Sequence, residues 1–244
     1  MLPTRSKNIG WWVFILFIIL MTGVTLLTAR ALFAEQKQLP LVSFIYVYYS
    51  FLAIHIVLAT IAVLAGIIQF FPHIRQNHIQ VHRASGRIYV GSVFISGVTA
   101  LFVALFTERF DEQIAFITLD VIWLLSIWKA FRAIRRKNVA EHRLWMVRNY
   151  AITLAAIFAR GIVPVMILLQ LLKGPLPAGG FATLLSETLG TGVWLSIVLN
   201  LILADWLVNR SQKLRGILSD AEYMRDEQKE EATSHLRKQE ASTG

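Results

Sequence analysis

Apolar residues run through this chain in blocks about as long as a bilayer is thick, and polar residues collect between them. Six blocks stand out, at 11–27, 44–71, 87–106, 114–134, 145–172 and 193–208. A helix rises about 1.5 Å per residue, so roughly 20 residues cross the hydrocarbon. The pattern predicts an all-α integral membrane bundle of six transmembrane helices, with residues 44–172 as its core and the first and sixth helices flanking it. The second and fifth blocks exceed the required length, which predicts tilt or extension into the interface. Trp11, Trp12, Tyr46, Tyr48, Tyr49, Tyr89, Trp145, Trp194 and Trp206 fall near block ends, where amphipathic rings sit at headgroup level.

Charge then gives the orientation. Arg5 and Lys7 precede the first block, and Arg75, Arg83 and Arg87 lie around the second connection. Lys129, Arg132, Arg135, Arg136, Lys137, Arg143 and Arg148 lie around the fourth, and Arg210, Lys213 and Arg215 follow the sixth. Six crossings put all four groups on one side. The other side carries Arg30, Glu35 and Lys37, then Glu108, Arg109, Asp111 and Glu112, then Lys173 and Glu187. The basic side is therefore expected to be cytoplasmic, with both termini inside, which places the chain in the cytoplasmic (inner) membrane.

Residues 1–209 form the expected transmembrane domain and 210–244 a polar, charged cytoplasmic tail. Leu214, Ile217, Leu218 and Met224 offer a short surface-lying helix there, but a solvated, frayed tail is the expectation. Arg5 and Lys7 before an apolar run, with Ala29-Arg30-Ala31 after it, have a signal-peptide look; the run is too long for a signal core, so an uncleaved helix is expected. The net charge of +9 and pI near 10.1 do not imply a nucleic-acid partner, because the charge sits at membrane borders and suits anionic lipid headgroups. With no cysteine, disulfides, thiolate metal sites and cysteine catalysis are excluded.

Ionisable residues inside the blocks carry the candidate chemistry, since charge in hydrocarbon is expensive. His55 lies deep in the second block, with Ala59, Ala62, Gly66 and Gln69 on its face; an interhelical hydrogen bond and a ligand role are both open to it. His142 and Arg160 stand eighteen positions apart, five whole turns, so they share a face with Asn149 and Thr153 between them. Gly161 and Pro164 predict a bend in the outer part of this helix. By depth, Asp120 of the fourth block is the natural partner of Arg160. With His55 and Asn200 these two make one intramembrane polar cluster, read either as a structural ion pair with its neighbours or as a proton or ion pathway or cofactor wall. Direct or one-water contact between Asp120 and Arg160 is expected.

The basic side offers different chemistry. His82, beyond the second block, and His142, at the start of the fifth, lie at one membrane level. Neutral imidazole ligates haem iron, zinc or copper, and two such residues on two helices suit a bis-His haem. Gly86, one turn after His82, would leave room for a porphyrin face; Arg83, Arg87, Arg143 and Arg148 would pair with propionates or lipid phosphates. His73 and His78 are expected to be solvated. Ser85, Ser92 and Ser96 are expected to be packed, hydrogen-bonding residues rather than nucleophiles.

Two stretches carry a resemblance: Gly66-Ile67-Ile68-Gln69-Phe70 with Arg75 and His82-Arg83-Ala84-Ser85-Gly86-Arg87-Ile88-Tyr89-Val90, and His142-Arg143-Leu144-Trp145-Met146-Val147-Arg148-Asn149-Tyr150-Ala151 followed by Arg160. Together with His55 and Trp123 they resemble the bacterial membrane family known as domain of unknown function 2306, over about 44–164. The resemblance implies a multi-pass membrane protein and brings no activity. The spacing of His55, His82 and His142 is also similar to that of the transmembrane ascorbate-dependent cytochromes b, which hold two haems between opposing helices. That likeness implies one haem on His82 and His142, with His55 matching half of a second pair; the fourth block departs from it, carrying Asp120, Trp123 and Trp128 but no histidine. The expected function is b-type haem binding for electron transfer, with a quinol or other redox partner. The alternative is a non-redox, proton-coupled transporter or sensor built on His55, Asp120, Arg160 and Asn200.

Overall fold

A computed structural model describes the backbone of residues 5–35 and 44–242, with the side chains of 12–27, 29, 30, 44–210 and 212. Its elements are α1 (Arg5–Glu35), α2 (Phe44–Phe70), α3 (Pro72–Asn77), α4 (Ile79–Leu105), α5 (Phe110–Arg135), α6 (Val139–Thr153), α7 (Ala155–Lys173) and α8 (Gly180–Ser242). All regular structure among the described residues is helical. Five stretches are long and apolar enough to cross a membrane: Phe44–Phe70, Ile79–Leu105, Phe110–Arg135, Val139–Lys173 and Gly180–Arg210. Trp12–Leu27 is a shorter apolar stretch within α1. The chain is a multi-pass helical membrane bundle.

Large apolar side chains stay open on the helix exteriors, including Phe94, Leu125, Leu168 and Ile202. In water such a surface would be a liability; in lipid it needs no cover. The protein core mixes small, aliphatic and aromatic residues. Ala62, Ala65, Tyr89, Val93, Trp123 and Tyr150 pack in one cluster, and Ala115, Ala159, Val193 and Ile197 in another. Small residues bring helix backbones close, which is how helices associate where lipid offers no hydrophobic drive. Gly97 shows this between α4 and α5: a Cβ there would lie 2.7 Å from Leu124 Cδ2.

The most extensive pairings are α2 with α4, α5 with α6 and α4 with α5. This puts the α2–α3–α4 and α5–α6 connections at one end, the end rich in Arg and Lys. Lys137 turns the chain between α5 and α6 with φ of 61°, and Asn138 caps α6 by accepting from Glu141 N at 3.1 Å. Glu141 Oε2 in turn accepts from the Asn138 side-chain Nδ2 at 3.1 Å. At the opposite end Arg109 pairs with Asp111 at 3.1 Å and Glu112 at 3.2 Å.

Three boundaries differ from the sequence expectation. The third crossing begins at Ile79, because Gln80, His82, Arg83 and Ser85 continue the helix as a polar first turn. The fifth is interrupted at Leu154 and runs on through Gly161 and Pro164. The ladder still carries across Leu154, whose N–H donates to Tyr150 O at 3.0 Å while its own carbonyl accepts from Phe158 N at 2.9 Å. Just before the break, the Thr153 hydroxyl donates back to Asn149 O at 3.0 Å, a bond of the kind often found where helices bend. Gly161 instead faces Phe17, whose ring would meet a Cβ at 3.5 Å. The third difference is α8, which begins at Gly180 and continues as helical backbone to Ser242. The surface-helix residues named in the tail, and Arg5, Lys7, Trp11, Glu35, Lys37, Lys213 and Arg215, lie outside the described side chains.

Candidate functional site

One cavity opens between α2, α3, α4 and α6 toward the basic end of the bundle, and another between α2, α4, α5, α6 and α7 toward the other end. The first, about 210 Å³, is at the basic end and is lined by Gln69, Arg75, His82, His142 and Arg143, among others. The α5–α6 turn brings His142 back beside α5, where its Nδ1 lies 2.9 Å from Ala130 O. A carbonyl only accepts, so Nδ1 carries the proton and Nε2 keeps its lone pair. That is the tautomer a metal-ligating histidine takes. His82 comes from the polar first turn of α4. Its Nδ1 is buried and has no partner, an arrangement that costs about 1–3 kcal/mol unless a ligand answers it.

The propionate-pairing arginines fall differently from expectation. Arg143 lines the cavity, and so does Arg75, which was not among the expected site residues. Arg83 and Arg87 lie on the exposed face of α4. Arg148 stacks over Trp145, its guanidinium carbon 5.1 Å from the ring centre. Gly86 is not an open face either: Gln69's carboxamide lies 3.6–3.8 Å from where a Cβ would be. Gln69 is held there by donating to His82 O at 3.0 Å and to Ser85 Oγ. His73 and His78 are exposed.

The second cavity, about 300 Å³, brings His55, Asp120 and Arg160 together. Ser96 on α4 clamps His55: its hydroxyl donates to His55 O at 3.0 Å, and its carbonyl accepts from His55 Nδ1 at 3.1 Å. The interhelical bond is therefore made by Nδ1, and Nε2 keeps its lone pair. Asn200, the fourth member expected, is buried but donates to Ser196 O of its own turn at 2.7 Å. The direct Asp120–Arg160 ion pair is absent. Among the described residues Asp120 and Arg160 make no ion pair with each other, and Arg160 Nη1 donates to Ala156 O at 2.8 Å. Counted from the outer ends of α5 and α7, Asp120 lies about 4.5 Å shallower than Arg160 at 1.5 Å per residue.

A hydrogen-bonded polar layer lies between the cavities, with Tyr89 and Tyr150 lining one and Trp123 and Thr153 the other; in the sequence only the shared face of Asn149 and Thr153 hints at it. Asn149 is fully buried. It accepts from Tyr89 OH at 2.6 Å and donates to Trp123 O at 2.9 Å and Ser126 Oγ at 2.8 Å. Thr153 Oγ1 accepts from Trp123 Nε1 at 2.9 Å and lies 2.8 Å from Tyr89 OH. Tyr150 OH donates to Val63 O at 3.1 Å. Every member is satisfied, so the layer is a rigid partition rather than a water channel.

These features lie in a stretch with a recognised relation. A family model described as "Predicted membrane protein (DUF2306)" matches residues 52–208. The chain belongs to the DUF2306 family. Both cavities and the layer between them are built almost wholly from the matched residues, so the DUF2306 region holds the candidate chemistry. No curated protein and no solved structure matches the chain.

Whether the first cavity fits a haem turns on donors and on space. Among the described residues no three of His, Cys, Asp and Glu gather, while a protein-held zinc ion wants three or four ligands. A haem brings its own in-plane nitrogens and asks only for axial imidazoles, which His82 and His142 supply in number and His142 in tautomer. Space is tight: about 210 Å³ is below the ~300–1,000 Å³ usual for ligand pockets. Gln69 and Met146, both unbranched and flexible, are the lining side chains whose rotamers can enlarge it. The donor set fits, and the fit in volume depends on those two residues.

Proposed function

We propose that this DUF2306 protein binds a b-type haem at the basic end of the bundle and passes electrons between a quinol or other redox partner and an acceptor. One observation carries the reading: His82 and His142 line one cavity, the first with a buried, unpartnered ring nitrogen and the second with its Nδ1–H anchored on Ala130. A bound haem supplies one-electron redox chemistry. The chain's own residues orient and seal the site. Ala130 fixes the His142 ring, Arg75 and Arg143 offer guanidinium groups to propionates, and the Asn149 layer keeps water from the opposite cavity out. The basic end faces the cytoplasm and its anionic headgroups in this reading, which locates the protein in the cytoplasmic membrane. The test is an absorption spectrum of protein purified in detergent after expression with ample haem. A Soret band that shifts on reduction is the expected result; a colourless protein overturns the reading.

A further inference from the structure

The second cavity holds a charge arrangement that the haem reading does not use. Asp120 is 5% exposed and lines the cavity, and among the described residues its carboxyl takes part in no hydrogen bond or ion pair. Arg160 lines the same cavity and engages one N–H with Ala156 O, leaving four donors. His55 presents Nε2 with its lone pair, because Ser96 holds Nδ1. The other deep polar groups are already matched, Trp123 Nε1 to Thr153 Oγ1 and Thr153 Oγ1 to Asn149 O. A carboxyl, a guanidinium and an imidazole nitrogen therefore share one space without answering one another. Leaving such groups unanswered at this depth is costly.

The geometry points to a small zwitterion as the ligand of this cavity: an α-amino acid with an apolar side chain. Its ammonium has three donors for Asp120 and His55 Nε2, and its carboxylate suits the planar fork of Arg160. Beside Tyr48, Thr107, Trp123 and Thr153 the remaining walls are apolar, including Leu52, Ala59, Val103, Phe116 and Leu119, and suit an aliphatic or aromatic side chain. The cavity reaches Thr107, just beyond the last turn of α4, and Tyr48 near the start of α2. Its mouth is thus at the aqueous end of the helices opposite the basic end, where a water-soluble ligand enters. The volume, about 300 Å³, is at the small end of ligand pockets and selects a compact molecule. The site does not rest on haem, since it shares neither cavity nor charged residue with His82 and His142.

The experiment uses the full chain in lipid nanodiscs, with binding followed calorimetrically and haem content measured on the same sample. Three probes are compared: L-leucine, its deaminated acid 4-methylpentanoate and its decarboxylated amine 3-methylbutylamine. Wild type should bind L-leucine saturably, and each analogue about 10-fold or more weakly. Asp120→Asn should weaken L-leucine about 10-fold and leave the acid unchanged. Arg160→Gln should weaken L-leucine and leave the amine unchanged. No saturable L-leucine binding up to about 10 mM, an affinity of at most a few kcal/mol, overturns the site. Equal binding of all three probes overturns it too, since that describes an apolar pocket without charge recognition. If either variant fails to fold, the three probes on wild type decide by themselves. Haem content is read independently of binding, so failure of the haem reading and failure of this one are distinct results.

Discussion

At the residue scale, His55, Asp120 and Arg160 line one cavity, with His55 held by Ser96 and Arg160 bonded to Ala156 O. Depth along a helix can be counted, and it correctly puts His55, Asp120 and Arg160 within reach of one cavity. Which way a residue faces, and the exact height of its neighbour, need the helix register. That is why the expected Asp120–Arg160 pair gives way to two charges that share a space. A double-mutant cycle on Asp120→Asn and Arg160→Gln, read by thermal stability without added ligand, should show the two effects adding within about 0.5 kcal/mol. A larger coupling would mean that the two side chains are paired. Ser96 was even less legible, since one serine among three in α4 carries no mark that singles it out as the clamp on His55. Asn149 makes the sharpest residue-scale prediction. Asn149→Leu leaves Tyr89 OH, Ser126 Oγ and Trp123 O without this partner. In soluble proteins each stranded group costs about 1–3 kcal/mol, but membrane hydrogen bonds average nearer 0.6 kcal/mol because the unfolded chain also finds partners. The expected loss is therefore about 1–3 kcal/mol in all, seen as a lower Tm in detergent. An unchanged Tm would show that the layer is not structural.

At the element scale, close approach between helices is concentrated at a few small residues. A Cβ at Gly66 on α2 would lie 2.1 Å from Tyr150 Cε2, so Gly66→Ala forces the α2–α6 contact apart. Overpacking of this kind costs about 1–3 kcal/mol, and Tyr150→Leu should recover part of it in the double variant. Gly91 is the control: nothing lies within 4 Å of its added Cβ, so Gly91→Ala should be neutral or gain up to about 1 kcal/mol of helix propensity. Equal losses in Gly66→Ala and Gly91→Ala would contradict the packing. Lys137 holds φ at 61° in the α5–α6 turn, and Lys137→Gly removes the Cβ penalty of that conformation, worth about 1 kcal/mol. The gain should appear as a higher Tm, because the same turn delivers His142 to Ala130. These features explain where element boundaries were readable. Apolar composition marks the crossings, but the polar first turn of α4 and the Thr153 bend are helical backbone under polar side chains, and hydropathy passes over them.

At the scale of the whole molecule, the bundle was largely legible and its chemistry only partly so. Long apolar blocks and the family resemblance both lead to a multi-pass helical membrane protein, because the bilayer fixes the length and backbone state of anything that crosses it. That His82 and His142 lie at one level was legible because histidine is rare in this chain, and both line the basic-end cavity. The site was illegible where a common residue does the work: Gln69 over Gly86, Arg75 in place of Arg83 and Arg87, and the hydrogen-bonded layer that divides the bundle into two cavities. That division gives the account its central claim, that the basic-end cavity alone carries the haem, on His82 and His142. The most direct measurement is haem stoichiometry on purified wild type and on His82→Ala, His142→Ala and His55→Ala, with each variant's folding checked by Tm. About one haem per chain in wild type and in His55→Ala, with loss in each of the other two, is the predicted result. Haem-free wild type, or haem retained in both His82→Ala and His142→Ala, would contradict it.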